Sequence, residues 1–549
     1  MVISLSRMDE KPLNHLVKLR RNGWFWAIIG FALVSRLIIL VLSQRHVHSD
    51  EAIIGLMAKH ISEGRYFPFY MYGQDYNAGA AWEAYIAAIP FKLFGVGVVP
   101  LKLAILMLFL GSLSVFYKFC EIAYNRWVAV VGSVVLIFTP SLLKWNFQVR
   151  GYTWYFLGIL VAALLYRLIQ RWPTGSARLY FLFGLVSGLC VWGLELSLPM
   201  IGAMWLALVI SRRQSWQRLL IGIAGFFVGY GPAIIFNFTH QFANWHTIIA
   251  YKSNGNPASL LRLSTYIEIA VHEMPKFFGP DTVLLYYPEI PLAGLVFYFV
   301  ALTVLGVTIW PFVTSPRKLL RGIQGKLTDV EQSDFLMIML VAASFIPYLT
   351  APLATPSYLL AACLFISILT GRVVQRWFFY PAVVHRSIAV ILFTAVCVTG
   401  FAVMIQVARA DQIETLTTCE QGSGFCMTRI PGSDMDAVET QLQQVAVTSV
   451  WTTVSFVYPL IFETGERFVA SNAIFSRPRK IYPKKFAMKE ASVDRNAAFV
   501  LERTSPFLAD LESRFAAATG LNPERADHGK MTLIYIPKST ATNAVSEGR

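Results

Sequence analysis

Residues 46–95 read HVHSDEAIIGLMAKHISEGRYFPFYMYGQDYNAGAAWEAYIAAIPFKLFG. They follow an apolar run at 24–43, long enough to cross a bilayer, which takes roughly 20 mostly apolar residues. The segment itself is too polar and too broken to be a second span. Ala52, Ile53, Leu56, Met57 and Ile61 fall on one helical face, with Lys59, His60 and Glu63 opposite. That is the pattern of a helix lying in the membrane interface. Gly64, Pro68 and Gly73 end it. Tyr66, Phe67, Phe69, Tyr70, Tyr72 and Tyr76 read as an aromatic belt at headgroup level. A second interfacial helix is expected at 80–94, carrying Glu83. Two adjacent acids, Asp50 and Glu51, thus stand just outside the first span.

The rest of the chain extends this pattern. Of 549 residues, 56% are hydrophobic and only 14% charged, with a mean hydropathy of +0.53. Soluble domains are nearer a quarter charged, so several charged-surfaced domains, disorder and a coiled coil are excluded. About eleven apolar runs are expected to span, near 24–43, 100–120, 127–143, 152–170, 179–194, 196–210, 219–237, 291–312, 335–350, 357–371 and 387–408. The runs 179–194 and 196–210 are short and parted only near Glu195. The expected fold class is an α-helical polytopic membrane protein with a small C-terminal α/β soluble domain.

The net charge of +15 maps onto this topology. The N-terminal tail carries Arg7, Lys11, Lys18, Arg20 and Arg21, which sets it inside by the positive-inside rule. Alternation then places Arg126, the Arg167–Arg171–Arg178 group, the Arg212–Arg213–Arg218 group, the cluster from Arg317 to Lys326, and Arg372, Arg376 and Arg386 inside as well. The outer loops, 44–99 and 238–290 above all, are sparser in Lys and Arg. An odd number of spans puts the C-terminus outside. The basic balance therefore needs no nucleic-acid partner. The first span is too long, and its loop too polar and without an A-x-A site, for a cleaved signal.

From residue 409 long apolar runs stop and acids appear. Residues 1–408 read as the membrane domain and 409–549 as an extracytoplasmic α/β domain, with helices at 434–445, 453–464 and 506–518 and strands at 446–451, 467–471, 497–502 and 531–537. Cys120, Cys190, Cys363 and Cys397 lie in apolar runs as packing residues. Cys419 and Cys426 share a polar stretch, where a disulfide and two free thiols are both open. No repeat of 20–50 residues and no inverted repeat is evident.

Asp50 admits two compatible roles. As a helix N-cap it satisfies backbone donors, and as a surface carboxylate it can take a proton from an acceptor hydroxyl. His46 and His48 with Asp50 form H-x-H-x-D, which suits a divalent metal or two ordinary loop histidines. No other cofactor is implied. Glu195 sits at a turn between two short spans, where an acid needs water or a partner.

The acidic S-D-E-A after the first span, G-R-Y-F-P, G-Q-x-Y with Gln74 and Tyr76, Glu83 and F-x-L-F-G together resemble the GT-C superfamily of membrane glycosyltransferases. More narrowly, they are similar to the branch related to dolichyl-phosphate-mannose–protein mannosyltransferases and the lipid A aminoarabinose transferase. Arg150-Gly151-Tyr152, the run G-Y-G-P-A-I-I-F-N-F-T-H at 229–240, and Tyr458-Pro459-Leu460 with Phe462-Glu463-Thr464-Gly465-Glu466-Arg467 resemble further motifs. The resemblance covers most of the chain. It implies a plasma-membrane enzyme that passes a sugar from a polyprenyl-phosphate carrier to a protein, lipid or glycan acceptor at the outer face, with inversion. It also implies Asp50 as general base with Glu51 beside it, Arg150 on the departing phosphate, and Tyr152, Glu83, Tyr76, Gln74 and Glu195 lining the substrate site. Relatives often carry P-R-Y-L-L-P where this chain has Pro356-Ser357-Tyr358-Leu359-Leu360; if that Arg touches the phosphate, either another residue serves here or the donor differs. A lipid-linked sugar flippase is the rival from another class, and a surface-polysaccharide polymerase or ligase a closer one. The flippase would place charges near the midplane, whereas here the acids gather at the surface.

Overall fold

The computed structural model describes residues 23–42, 47, 49–145, 149–172, 176–210, 215–253, 263–274, 278, 291–350, 356–409, 418–419, 426–427, 432–452, 454–472, 496–503, 505, 507–529 and 531–537. The chain is a helical bundle followed by a small sheet. In order come α1 (Gly23–Leu42), α2 (Ser49–Ser62), α3 (Ala78–Phe94), α4 (Val98–Ala123), α5 (Arg126–Phe138), α6 (Pro140–Trp145), α7 (Tyr152–Arg171), α8 (Ala177–Gly193), α9 (Leu198–Ile210), α10 (Trp216–Thr239), α11 (Ala243–Ser253) and α12 (Leu263–Glu268). Then follow α13 (Pro291–Val313), α14 (Pro316–Ile323), α15 (Asp329–Thr350), α16 (Leu360–Phe378) and α17 (Val383–Arg409). Eight of the described helices are long and apolar enough to cross a membrane. Three shorter apolar helices, Arg126–Phe138, Ala177–Gly193 and Glu195–Ile210, fall on three more of the expected spans. The N-terminal basic tail, Arg212 and Arg213 lie outside the described residues.

Glycine spacing fixes the tightest helix pair. Gly184 and Gly188 on α8 face Gly222, Gly225 and Gly229 on α10. A Cβ at Gly184 would lie 1.8 Å from the Gly222 carbonyl oxygen, and one at Gly188 2.2 Å from that of Phe226. With no hydrophobic drive between helices in lipid, such close approach is a main source of their association. At the opposite end from Asp50, ion pairs hold the helix ends. Buried Arg167 donates to the Asp329 carbonyl at 2.7 Å, and Arg171 and Arg372 meet Asp329 and Asp334.

The C-terminal unit contains β1 (Thr418–Cys419), β2 (Cys426–Met427), α18 (Gly432–Gln444), β3 (Ser449–Thr452), α19 (Val454–Glu463), β4 (Val469–Asn472), β5 (Ala497–Glu502), α20 (Leu508–Thr519), β6 (Glu524–His528) and β7 (Met531–Tyr535). Five strands form one sheet in the order β4-β3-β5-β7-β6. β3 pairs in parallel with β4 and β5, while β7 runs antiparallel between β5 and β6. Helix and strand alternate as the sequence predicts. Strand β6 is an addition: its residues ERADH carry no apolar alternation because the strand is an exposed edge. The β1–β2 ladder sets Cys419 opposite Cys426.

This unit packs on the first loop. α2 is almost wholly buried, on its polar side as well as its apolar one. The Phe462 ring at the end of α19 sits over Gly55, where a Cβ would come within 2.5 Å of it, and stacks on Phe91 of α3. The polar face that reads as water-facing in the sequence is thus covered by the last domain of the same chain.

Candidate active site

The two adjacent acids part company. Successive residues on a helix point about 100° apart. Glu51 turns inward: one oxygen accepts the Val149 N–H at 2.9 Å and meets the Lys102 ammonium. Asp50 stays at the surface in the first turn of α2, its side chain 43% exposed. It faces Arg150, whose guanidinium is nearly buried and lies 3.8 Å from the Asp50 carboxylate.

Arg150 is held by backbone geometry. Asn77 adopts the left-handed conformation (φ 60°), caps α3 through the Ala80 N–H, and donates to the Arg150 carbonyl at 3.4 Å. Gly151 has φ 87°, and a Cβ there would lie 2.4 Å from the Asn77 oxygen. Gly79 is equally committed, with a Cβ position 2.5 Å from the Gly151 carbonyl oxygen. Beneath them Glu83, wholly buried, accepts from Gly151 N–H at 2.7 Å, Thr153 N–H at 2.9 Å and Trp154 N–H at 3.4 Å. It therefore caps α7 from a neighbouring helix, supplying orphan donors with an acceptor. Burial raises its carboxyl to about 7, against the pull of those backbone donors.

Glu195 lies in the turn between α8 and α9 and accepts from Asn244 at 3.3 Å. Asn244 also donates to the Asp75 carbonyl at 2.6 Å, tying the α10–α11 junction to the loop of Gln74 and Tyr76. Gln74 is half-buried, Tyr76 exposed, and Tyr152 half-buried at the start of α7. His46 and His48 lie outside the described residues, and among those described no group of three His, Cys, Asp or Glu is placed to hold a metal. Tyr358 lies in a single 3₁₀ turn, Pro356–Leu359, ahead of α16.

A second cluster joins loop and domain. His60, fully buried, bonds Tyr72 Oη at 2.9 Å and Glu466 Oε1 at 3.0 Å. Lys59 and Arg65 converge on the other Glu466 oxygen. Burial alone would raise the Glu466 carboxyl, but the bonds and charges of His60 and Lys59 hold it down at about 2. The sequence places Glu466 in a motif but names no partner, since 406 residues separate it from His60.

No family model and no curated protein matches this chain. Among solved structures, ArnT from Cupriavidus metallidurans in the apo state superposes with TM-score 0.56 at 13% identity, over 93% of this chain and 97% of its own. The same protein bound to undecaprenyl phosphate gives TM-score 0.55 at 12% identity, covering 94% and 98%. The archaeal oligosaccharyltransferase AglB from Archaeoglobus fulgidus, in complex with an inhibitory peptide and a dolichol-phosphate, gives 0.47 at 9% identity over 87% of this chain and 69% of its own. The chain is a polytopic membrane protein of the fold that the GT-C resemblance implies. Within that class its fold is ArnT-like over 93% of the chain.

Proposed function

We propose that this chain is an inverting glycosyltransferase. It takes a sugar from a polyprenyl-phosphate donor and passes it to an acceptor nucleophile at the outer membrane face. The observation that carries this reading is the Asp50–Arg150 pair: an exposed carboxylate 3.8 Å from a nearly buried guanidinium, at the end of the bundle where the C-terminal domain docks. The undecaprenyl phosphate bound by the similarly folded ArnT supports a lipid-phosphate donor. The acceptor oxygen attacks the anomeric carbon, its proton passes to Asp50, and the bond to the phosphate oxygen breaks. Arg150 balances the charge of the leaving polyprenyl phosphate, which a guanidinium fits with two parallel donors. Glu51 and Glu83 act through the backbone: one fixes the residue before Arg150, the other the residue after it. On this reading residues 1–408 bind donor and acceptor, and 409–549 form an extracytoplasmic cover. A divalent metal, were His46, His48 and Asp50 to hold one, would supply Lewis-acid polarisation of the phosphate.

The test is Asp50→Asn in the purified full chain in nanodiscs, assayed with a panel of polyprenyl-phosphate sugars, with and without chelator. Sugar transfer and slow donor hydrolysis are expected in the parent and absent in the variant, at unchanged thermal stability. A variant as active as the parent removes Asp50 from the chemistry. No turnover of any donor by the parent, with transport of a lipid-linked sugar in vesicles, makes the protein a transporter.

A further inference from the structure

Three tryptophans gather beside this site. Trp82 precedes Glu83 on α3, Trp154 lies in the first turn of α7, and Trp192 stands at the end of α8. Trp82 and Trp154 stack with centroids 4.3 Å apart and planes 13° apart, and Trp192 meets Trp82 edge-on at 5.4 Å. Trp192 is only 8% exposed, walled by Tyr70, Ala78, Ala233 and Phe236. All three indole N–H groups are shielded from solvent and have no hydrogen-bond partner among the described residues.

An unpaired buried donor destabilises the fold, and proteins leave few of them. Three in one cluster point to a partner that arrives from outside. The loop leading into α3, the helix of Trp82, adds an acceptor: Gln74 Oε1 is buried and has no partner among the described residues. It stands one residue before Asp75, whose carbonyl holds Asn244 against Glu195. Gly193 lets the chain pass close to one donor as well: a Cβ there would sit 2.9 Å from Trp154 Nε1.

The chemistry of these groups selects the guest. Neutral N–H donors suit hydroxyl and ring oxygens, whereas phosphate is met by cations. Flat indole surfaces suit the C–H face of a ring, and a lone amide oxygen accepts from a hydroxyl. We infer that Trp82, Trp154 and Trp192, with Gln74, form the subsite that holds the glycosyl ring of the donor as a neutral pyranose or furanose. The inference rests on the transferase reading for the word donor, but its test does not need turnover.

The full chain is labelled with 5-fluorotryptophan in nanodiscs, and its fluorine resonances are assigned with Trp82→Phe, Trp154→Phe and Trp192→Phe. Methyl glycosides of hexoses and pentoses are titrated into the millimolar range, and undecaprenyl phosphate is titrated separately. At least one glycoside should move all three signals. Trp154→Phe and Trp192→Phe, which keep an aromatic ring but lose the donor, should weaken that binding about three- to tenfold. Affinity for undecaprenyl phosphate should not change. If no glycoside moves these signals, or the Phe variants bind as the parent does, the subsite is refuted, whatever the activity. If a glycoside moves them while no lipid-linked sugar is turned over, the subsite stands and the transferase reading falls.

Discussion

Glu466→Gln tests how the C-terminal domain is fastened to the loop that carries Asp50. The substitution keeps the size of the side chain and one acceptor oxygen but removes the charge that Lys59, Arg65 and His60 share. The carboxyl is held at about 2, against 4.5 for an unperturbed glutamate. At about 1.4 kcal/mol per pH unit this is worth roughly 3 kcal/mol at neutral pH, and solvent access to the outer oxygen trims it to about 2. The sign follows from the lowered value. The contribution is complete above pH 4.5 and is lost as pH falls toward 2. Hydrogen exchange in nanodiscs reads it at two places, the amides of α19 and those of α2. About 2 kcal/mol corresponds to roughly thirtyfold less protection in the variant at neutral pH. The parent should lose protection as pH falls from 4.5 toward 2 and the variant should show no such step. Parent-like protection together with a parent-like acid step would refute the clamp.

Three further outcomes follow from the packing. Gly188→Val should lower thermal stability by about 2 kcal/mol or more, because the new methyls meet the Phe226 carbonyl; Gly202→Ala, in open space, should be neutral or slightly stabilising in the same melt. Glu83→Ala strips three backbone donors of their acceptor and should cost about 3 kcal/mol and most of any transferase activity, through a displaced Arg150. Because burial raises Glu83 to about 7, its charging opposes folding as pH climbs from 4.5 through 7; Glu83→Gln, with no proton to lose, should flatten that part of the stability profile measured by thermal melts.

Much of the architecture is legible because its causes are local. Apolar runs of sufficient length become helices, and Gly64, Pro68 and Gly73 break the first loop where expected. Arg150-Gly151-Tyr152 also stands out in the sequence, yet the reason for its form does not. Gly151 is needed because Asn77 and Gly79 approach its backbone, and nothing near residue 151 announces residues 77 and 79. Glu83 also caps a helix begun 69 residues later, a bond that nothing near residue 83 announces. The role of Glu51 depends on Lys102 and Val149, and that of His60 on Glu466. Nothing in the sequence joins Trp82, Trp154 and Trp192; only their assembly shows three donors without acceptors among the described residues. Strand β6 escapes because an exposed edge demands no apolar alternation.

The order of synthesis gives the docking of α19 on α2 one more meaning. The helix bearing Asp50 emerges from the ribosome well before Phe462 and Glu466, which cover it, since 406 residues separate His60 from Glu466. Through that stretch of translation and insertion the chain carries this loop uncapped, with Gly55 bare and His60 lacking Glu466. A domain made much later thus completes the loop, and a chain cut short in between would reach the membrane with it unfinished.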